Sequence, residues 1–303
     1  MKKNMNSSLY TEKEKNVRRT WAIFIVFLIV VIGVGWIFAQ ALQDSSILYV
    51  AVIFSFLMNF FGYWYSDKLV LSMAGAKPVL AENNPELYRI VENLAITAGL
   101  PTPKIYLVPE TAPNAFATGR NAEHAAIALT EGLLNKLDRS ELEGVLAHEL
   151  AHVGNRDILV GTVAVVLAGF IAILSDFFMR MNFSRSGDDD NGKAGAIFMV
   201  AAVVLSILAP IAAKLLRLSI SRKREFLADS TGALLTRYPE GLARALEKIS
   251  ASSIQMRAAN NSTAHLWVDD PFKGKNKTSF WHKIFMTHPP VEERIKALRG
   301  MDI

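Results

Sequence analysis

The sequence predicts a mainly α protein with a small β-sheet, interrupted by about four transmembrane helices. Three observations lead there. The composition is 51% hydrophobic in 303 residues with a mean hydropathy of +0.24, more apolar than an ordinary soluble domain. The excess is gathered into a few long, charge-poor stretches. The polar remainder mixes helical periodicity with three short β-type runs.

The apolar stretches come first. Trp21 to Ala39 and Ile47 to Tyr65 are nearly free of charge and about long enough to cross a hydrocarbon core of roughly 30 Å. The first exceeds a typical signal-peptide core and lacks a small-residue cleavage pattern, so it reads as a retained anchor. Ile158 to Leu174, about 17 residues, sits at the lower limit for a span and reads either as one or as a buried or re-entrant hairpin arm. Ala194 to Ala213 is the fourth candidate; Pro210 is tolerable within it.

Charge sets the expected orientation. Residues 1–20 carry Lys2, Lys3, Lys13, Lys15, Arg18 and Arg19, whereas Gln43 to Ser46, between the first two stretches, has neither Lys nor Arg. The first segment is therefore expected to be a basic cytoplasmic tail. Residues 21–65 would form a membrane hairpin, 66–157 the first part of a cytoplasmic domain, 158–218 a second hairpin, and 219–303 the second part of that domain. The +5 net charge follows from bases flanking apolar segments, so nucleic acid is not an expected partner; the lipid bilayer is. The absence of Cys excludes cysteine catalysis and thiolate metal sites.

Within the soluble part, Asn84 is a plausible N-cap for a helix over Pro85 to Leu100, with Leu87, Ile90, Val91 and Leu94 on one face. β-type runs follow at Lys104 to Val108, Asn114 to Thr118 and Ala125 to Leu129. Pro239 to Met256 reads as a further helix. Asn260 to Ser279 is polar and reads as a loop. His124, His265 and His282 read as solvated or interfacial residues.

The chemistry is concentrated in His148-Glu149-Leu150-Ala151-His152. On a helix, residues four apart share a face, so both imidazoles can point at one metal ion, while Glu149 can accept the proton of a water held there. Ser140 and Glu143 have the form of a capping box, Leu142, Val145, Leu146 and Leu150 supply an apolar face, and Gly154 offers a stop. A catalytic zinc takes three protein ligands. The segment Ser221 to Asp229 places Glu225 and Asp229 at i and i+4, so one could bind metal while the other orients a ligand histidine. Two crossings between the motifs would return Glu225 to the side that holds His148.

Taken together, the His-Glu-Leu-Ala-His motif followed by Asn155-Arg156-Asp157, the Ser221–Asp229 segment, and Thr287-His288-Pro289-Pro290 with Glu292, Glu293, Arg294 and Ile295 resemble peptidase family M48, integral-membrane zinc metallopeptidases, most of all its HtpX-like branch. The resemblance covers nearly the whole chain. It implies an α+β, gluzincin-like metalloprotease domain and one Zn2+ per chain, bound by His148, His152 and Glu225, with Glu149 as the catalytic base. Asp229, with Asp157, would support the ligands. His288 would approach the site and help stabilise the oxyanion. Asn114, Ala115 and Phe116 would belong to the strand that receives substrate. Phe226 departs from the family's frequent Tyr. Unfolded or damaged membrane proteins are the implied substrates, in a plasma-membrane enzyme with a cytoplasmic site. The alternatives are a prenyl-protein endopeptidase or a non-catalytic membrane scaffold that keeps zinc for folding.

Overall fold

The computed structural model describes residues 9–183, 222–257, 263–269, 271 and 289–302. The chain begins with α1 (Leu9–Leu42) and α2 (Ser46–Trp64), antiparallel and closely packed. Their stretches Glu14–Gln40 and Ser46–Trp64 are long and apolar enough to cross a membrane. Trp21, Ile25 and Ile29 on α1 and Tyr49, Val50 and Ile53 on α2 are exposed, a band of apolar surface that lipid would cover. At about 1.5 Å per residue the 34 residues of α1 extend about 51 Å, well beyond a hydrocarbon core of about 30 Å. The surplus is the segment expected to be a basic tail. It is helical from Leu9 and buries Asn16 and Thr20.

A short helix α3 (Ser66–Met73) leads to a four-stranded sheet made of β1 (Lys77–Pro78), β2 (Lys104–Val108), β3 (Ala115–Thr118) and β4 (Ala126–Thr130), in the order β1-β2-β4-β3. β2 and β4 are parallel and the other pairs antiparallel. β2 lies where the sequence predicted it, and β3 and β4 each start one residue later. Helix α4 (Pro85–Ala98) starts as expected: the Asn84 side chain accepts from the Leu87 amide at 3.1 Å, and Gly99 closes it in the left-handed region at φ 65°.

Side-chain alternation gives the sheet two buried faces. Ile105, Ile127 and Leu129 join Leu87, Ile90 and Leu94 of α4 and Val145, Leu146 and Leu150 of α6 (Arg139–Gly154). On the other face Phe116, Ala126 and Ala128 meet Val70 and Leu71 of α3 and Val165 and Val166 of α7 (Asp157–Phe183). Between β4 and α6 lies α5 (Glu131–Lys136). After α7 the described chain resumes with α8 (Arg222–Thr236), α9 (Pro239–Ser250) and α10 (Val291–Arg299). α9 stops six residues short of the expected Met256, and an irregular stretch follows.

One expectation about α6 is corrected. The capping box is formed by Asp138 and Glu141: Asp138 Oδ1 accepts from the Glu141 amide at 2.9 Å, and Glu141 Oε2 accepts from the Asp138 amide at 2.9 Å. Asp is as good a cap as Ser, and the residue pattern fits both registers. Glu143 instead pairs with Arg139 at 3.0 Å on an exposed face. Gly154 is the last residue of the helix, as expected, and the reversal follows at Arg156, whose φ is 57°. That turn swings α7 away from α6 by 83°. α7 is apolar and packs Leu159, Val163 and Leu167 on Ile23 and Phe27 of α1. The helix α6 and the first part of α7 are long and apolar enough to cross a membrane only together, as a bent pair. The Ala194 to Ala213 segment lies outside the described residues.

Candidate metal centre

α6 is buried on nearly every side, and this places His148 and Glu149 in the interior, 1% and 3% exposed. The His148 and His152 rings are edge-on with centroids 4.7 Å apart, and their Nε2 atoms stand 3.2 Å apart. From α8, Glu225 brings Oε2 to 3.9 Å from His148 Nε2 and Oε1 to 3.6 Å from His152 Nε2. These three residues form the group able to hold a metal ion among the described residues. Two ligands, each about 2.0–2.1 Å from a tetrahedral zinc, stand about 3.3 Å apart. The donor set therefore has the right chemistry and nearly the right spacing before any ion is placed.

Why α8 comes so close is legible at one residue. Gly232 lies against the α6 backbone, where an added Cβ would fall 2.9 Å from the His148 amide nitrogen. Only a missing side chain permits that approach. Gly232→Ala is expected to force the helices apart, lowering stability by about 1–3 kcal/mol and weakening metal retention. A melting curve and a metal content equal to wild type in this variant would show that the contact does not set the Glu225 position.

Each imidazole is oriented from behind. His148 Nδ1 lies 2.9 Å from Asp229 Oδ1, and His152 Nδ1 lies 3.1 Å from Asp157 Oδ2. A proton on each Nδ1 donates to a carboxylate and leaves Nε2 facing the cluster. Asp229 is gripped by Arg294 of α10, whose Nη2 and Nε donate to Oδ1 and Oδ2 at 2.7 and 2.8 Å. Asp157 accepts from Arg224 Nη1 at 3.0 Å.

Electrostatics favour a cation. Glu149, Glu225, Asp157 and Asp229 face Arg224 and Arg294, all buried, and their formal charges leave two net negatives for a divalent ion to neutralise. Burial disfavours a charged His152, yet the hydrogen bond to Asp157 and the charges of Glu225, Asp157 and Glu149 raise its pKa to about 9. Burial likewise opposes an ionised Asp229, but the Arg294 charge and hydrogen bonds, helped by His148, bring it down to about 2.

The chain is similar to known proteins over most of its length. The profile of "Peptidase family M48" matches residues 81–302. The chain belongs to peptidase family M48. Among M48 relatives, a "Protease HtpX homolog" of Syntrophobacter fumaroxidans is 46% identical over 93% of this chain and 98% of its own. Homologs of the same name from Caldanaerobacter subterraneus and Pyrococcus furiosus are 43% and 44% identical, covering 98% and 93% of this chain and 99% and 94% of their own. The crystal structure of S. mikatae Ste24p shares the fold, with a TM-score of 0.51 at 21% identity; the match takes in 89% of this chain and 62% of that one. The protein is thus an M48 metalloprotease of the HtpX-like branch, with a mainly α fold and a small sheet.

The M48 chain brings His148, Glu149, His152, Glu225, Asp229 and Asp157 together. His288 lies outside the described residues. Asn114 leads into β3, which carries Ala115 and Phe116 and packs against α6. β3 is an edge of the sheet, but Ala115 O accepts from the Val268 amide at 3.0 Å, and the Asn114 side chain exchanges hydrogen bonds with the Asp269 backbone. His124 is exposed and lies against Arg120 at 2.7 Å. Two supporting residues had no role assigned from the sequence: Arg294, whose signal was its place after His288-Pro289-Pro290, and Arg224, hidden in a basic run.

Proposed function

We propose that this chain is a membrane-bound, zinc-dependent endopeptidase whose site faces the cytoplasm and which cleaves damaged or misfolded membrane proteins. The observation that carries this reading is the convergence of His148, His152 and Glu225 with Glu149 buried beside them. Zinc bound there would polarise the scissile carbonyl and lower the pKa of its water to about 7. Glu149, next to the first ligand on α6, takes a proton from the attacking water and passes it to the leaving amine. Asp229 and Asp157 hold the ligand imidazoles with Nε2 forward throughout. A substrate strand adds to β3, where its amide takes the place of Val268 on Ala115 O. Backbone pairing of this kind depends little on side chains and supports broad substrate choice. The cytoplasmic orientation is supported by the basic residues before Trp21 and their absence between α1 and α2.

Metal removal tests the reading. Detergent-purified protein treated with a chelator should lose cleavage of an unfolded test protein, and zinc should restore it where magnesium and calcium do not. Uptake must expel the proton that His152 holds up to about pH 9. Apparent zinc affinity should therefore rise by roughly tenfold per unit between pH 6.5 and 8.5 and level above pH 9. Cleavage that survives complete metal removal would end the proposal.

A further inference from the structure

Asn16 stands at the N-terminal end of the apolar stretch of α1, and it is 1% exposed. Its side chain reaches across the chain to the far end of α6. Asn16 Nδ2 donates to Asp157 Oδ1 at 2.7 Å and to Asn155 O at 3.1 Å. Asn16 Oδ1 accepts from Arg224 Nη1 at 3.2 Å and from Arg19 Nη1 at 3.4 Å. Asp157 Oδ2 is in turn the partner of His152 Nδ1. One amide thus joins three separate segments: the first anchor helix, the sharp turn between α6 and α7, and the arginine that precedes Glu225.

We propose that Asn16 is a positioning residue for the metal ligand His152, acting through Asp157, so that the first membrane helix is a working part of the metal centre and not only an anchor. The inference rests on the metal-centre reading above. Asp157 lies at the start of α7, directly after Arg156 in the left-handed region. Arg224 supplies charge to Oδ1, and Asn16 supplies the neutral donor that sets its direction. The same amide satisfies Asn155 O, fixing the end of α6 one turn beyond His152. Partners of this kind, behind the metal ligands, typically govern metal affinity by 10–100-fold.

The test uses the full chain purified in detergent and loaded with zinc, and reads the rate of zinc loss to a chromophoric chelator at a temperature where each variant is folded. Asn16→Ala and Asn16→Leu, the second preserving volume without a donor, should both release zinc about tenfold faster than wild type and lower kcat with little change in KM. Thr20→Val removes the buried hydrogen bond from Thr20 Oγ1 to Asn16 O, 3.0 Å, without touching Asp157, and should release zinc at the wild-type rate. Asp157→Ala and His152→Ala should release it faster still. Recovery of wild-type release in Asn16→Leu would make the role one of packing and overturn the inference, as would wild-type release from Asn16→Ala alongside fast release from Asp157→Ala. Wild-type release from His152→Ala would instead sink the metal-centre reading itself.

Discussion

Glu149→Gln is expected to retain zinc at the wild-type level while cleaving an unfolded test protein at least about 100-fold more slowly, the loss of a positioned general base. Glu149 lies on α6 between the two imidazoles, and its charge acts on both His152 and Arg294. Gln has nearly the same shape, so α6 packing and the three ligands should be undisturbed. What disappears is the ability to take a proton. Metal content by mass spectrometry and turnover on the same sample separate the two effects. Equal zinc with equal cleavage would remove Glu149 from the mechanism. Equal zinc with no cleavage by either protein, across unfolded and membrane substrates, would favour the scaffold alternative.

The second large effect is structural. Arg294→Met should lower stability by about 3–5 kcal/mol, the cost of leaving one partner of a buried pair uncompensated. In a domain of this size that is a fall in melting temperature on the order of 10 °C. Arg294 is 2% exposed and grips both oxygens of Asp229, which orients His148. Met fills comparable volume but leaves Asp229 buried without its main cation. The pH dependence fixes the sign: a carboxyl held at about pKa 2 against an ordinary 3.8 adds stability above about pH 4, and this is lost as pH falls through about 2. The variant should lose that stability throughout the neutral range and release zinc faster. A melting temperature within about 2 °C of wild type would show that Asp229 is held chiefly by His148 and the surrounding backbone.

Much of this site could be read along the chain because its parts are local. His148, Glu149 and His152 owe their relation to the helical repeat, which acts over one turn. The Asn84 cap, the three strands and the two anchors are likewise recorded in adjacent residues. The start of α6 differs from the expectation because competing local solutions are equally good: Asp138 and Ser140 both begin a cap-like pattern. Periodicity does not choose between them; packing does.

Glu225 was legible as a candidate only because it stands four residues from Asp229 and because the resemblance to the family assigned it a role. Nothing in its neighbourhood separates it from an ordinary solvated glutamate. Only tertiary structure, through the bare backbone at Gly232, brings α8 onto α6 at the required distance. The same holds for Asn16 and Arg294, which lie 141 residues from Asp157 and 65 from Asp229 in sequence. The sequence alone determined the membrane-seeking segments, the helical pair of imidazoles and the glutamate between them, since these follow from hydrophobic run length and helical geometry. The tertiary structure decided which carboxylates stand at the candidate metal centre and what holds each imidazole in place, since hydrogen bonds and ion pairs between distant segments depend on where folding brings them and leave no periodic trace in the chain.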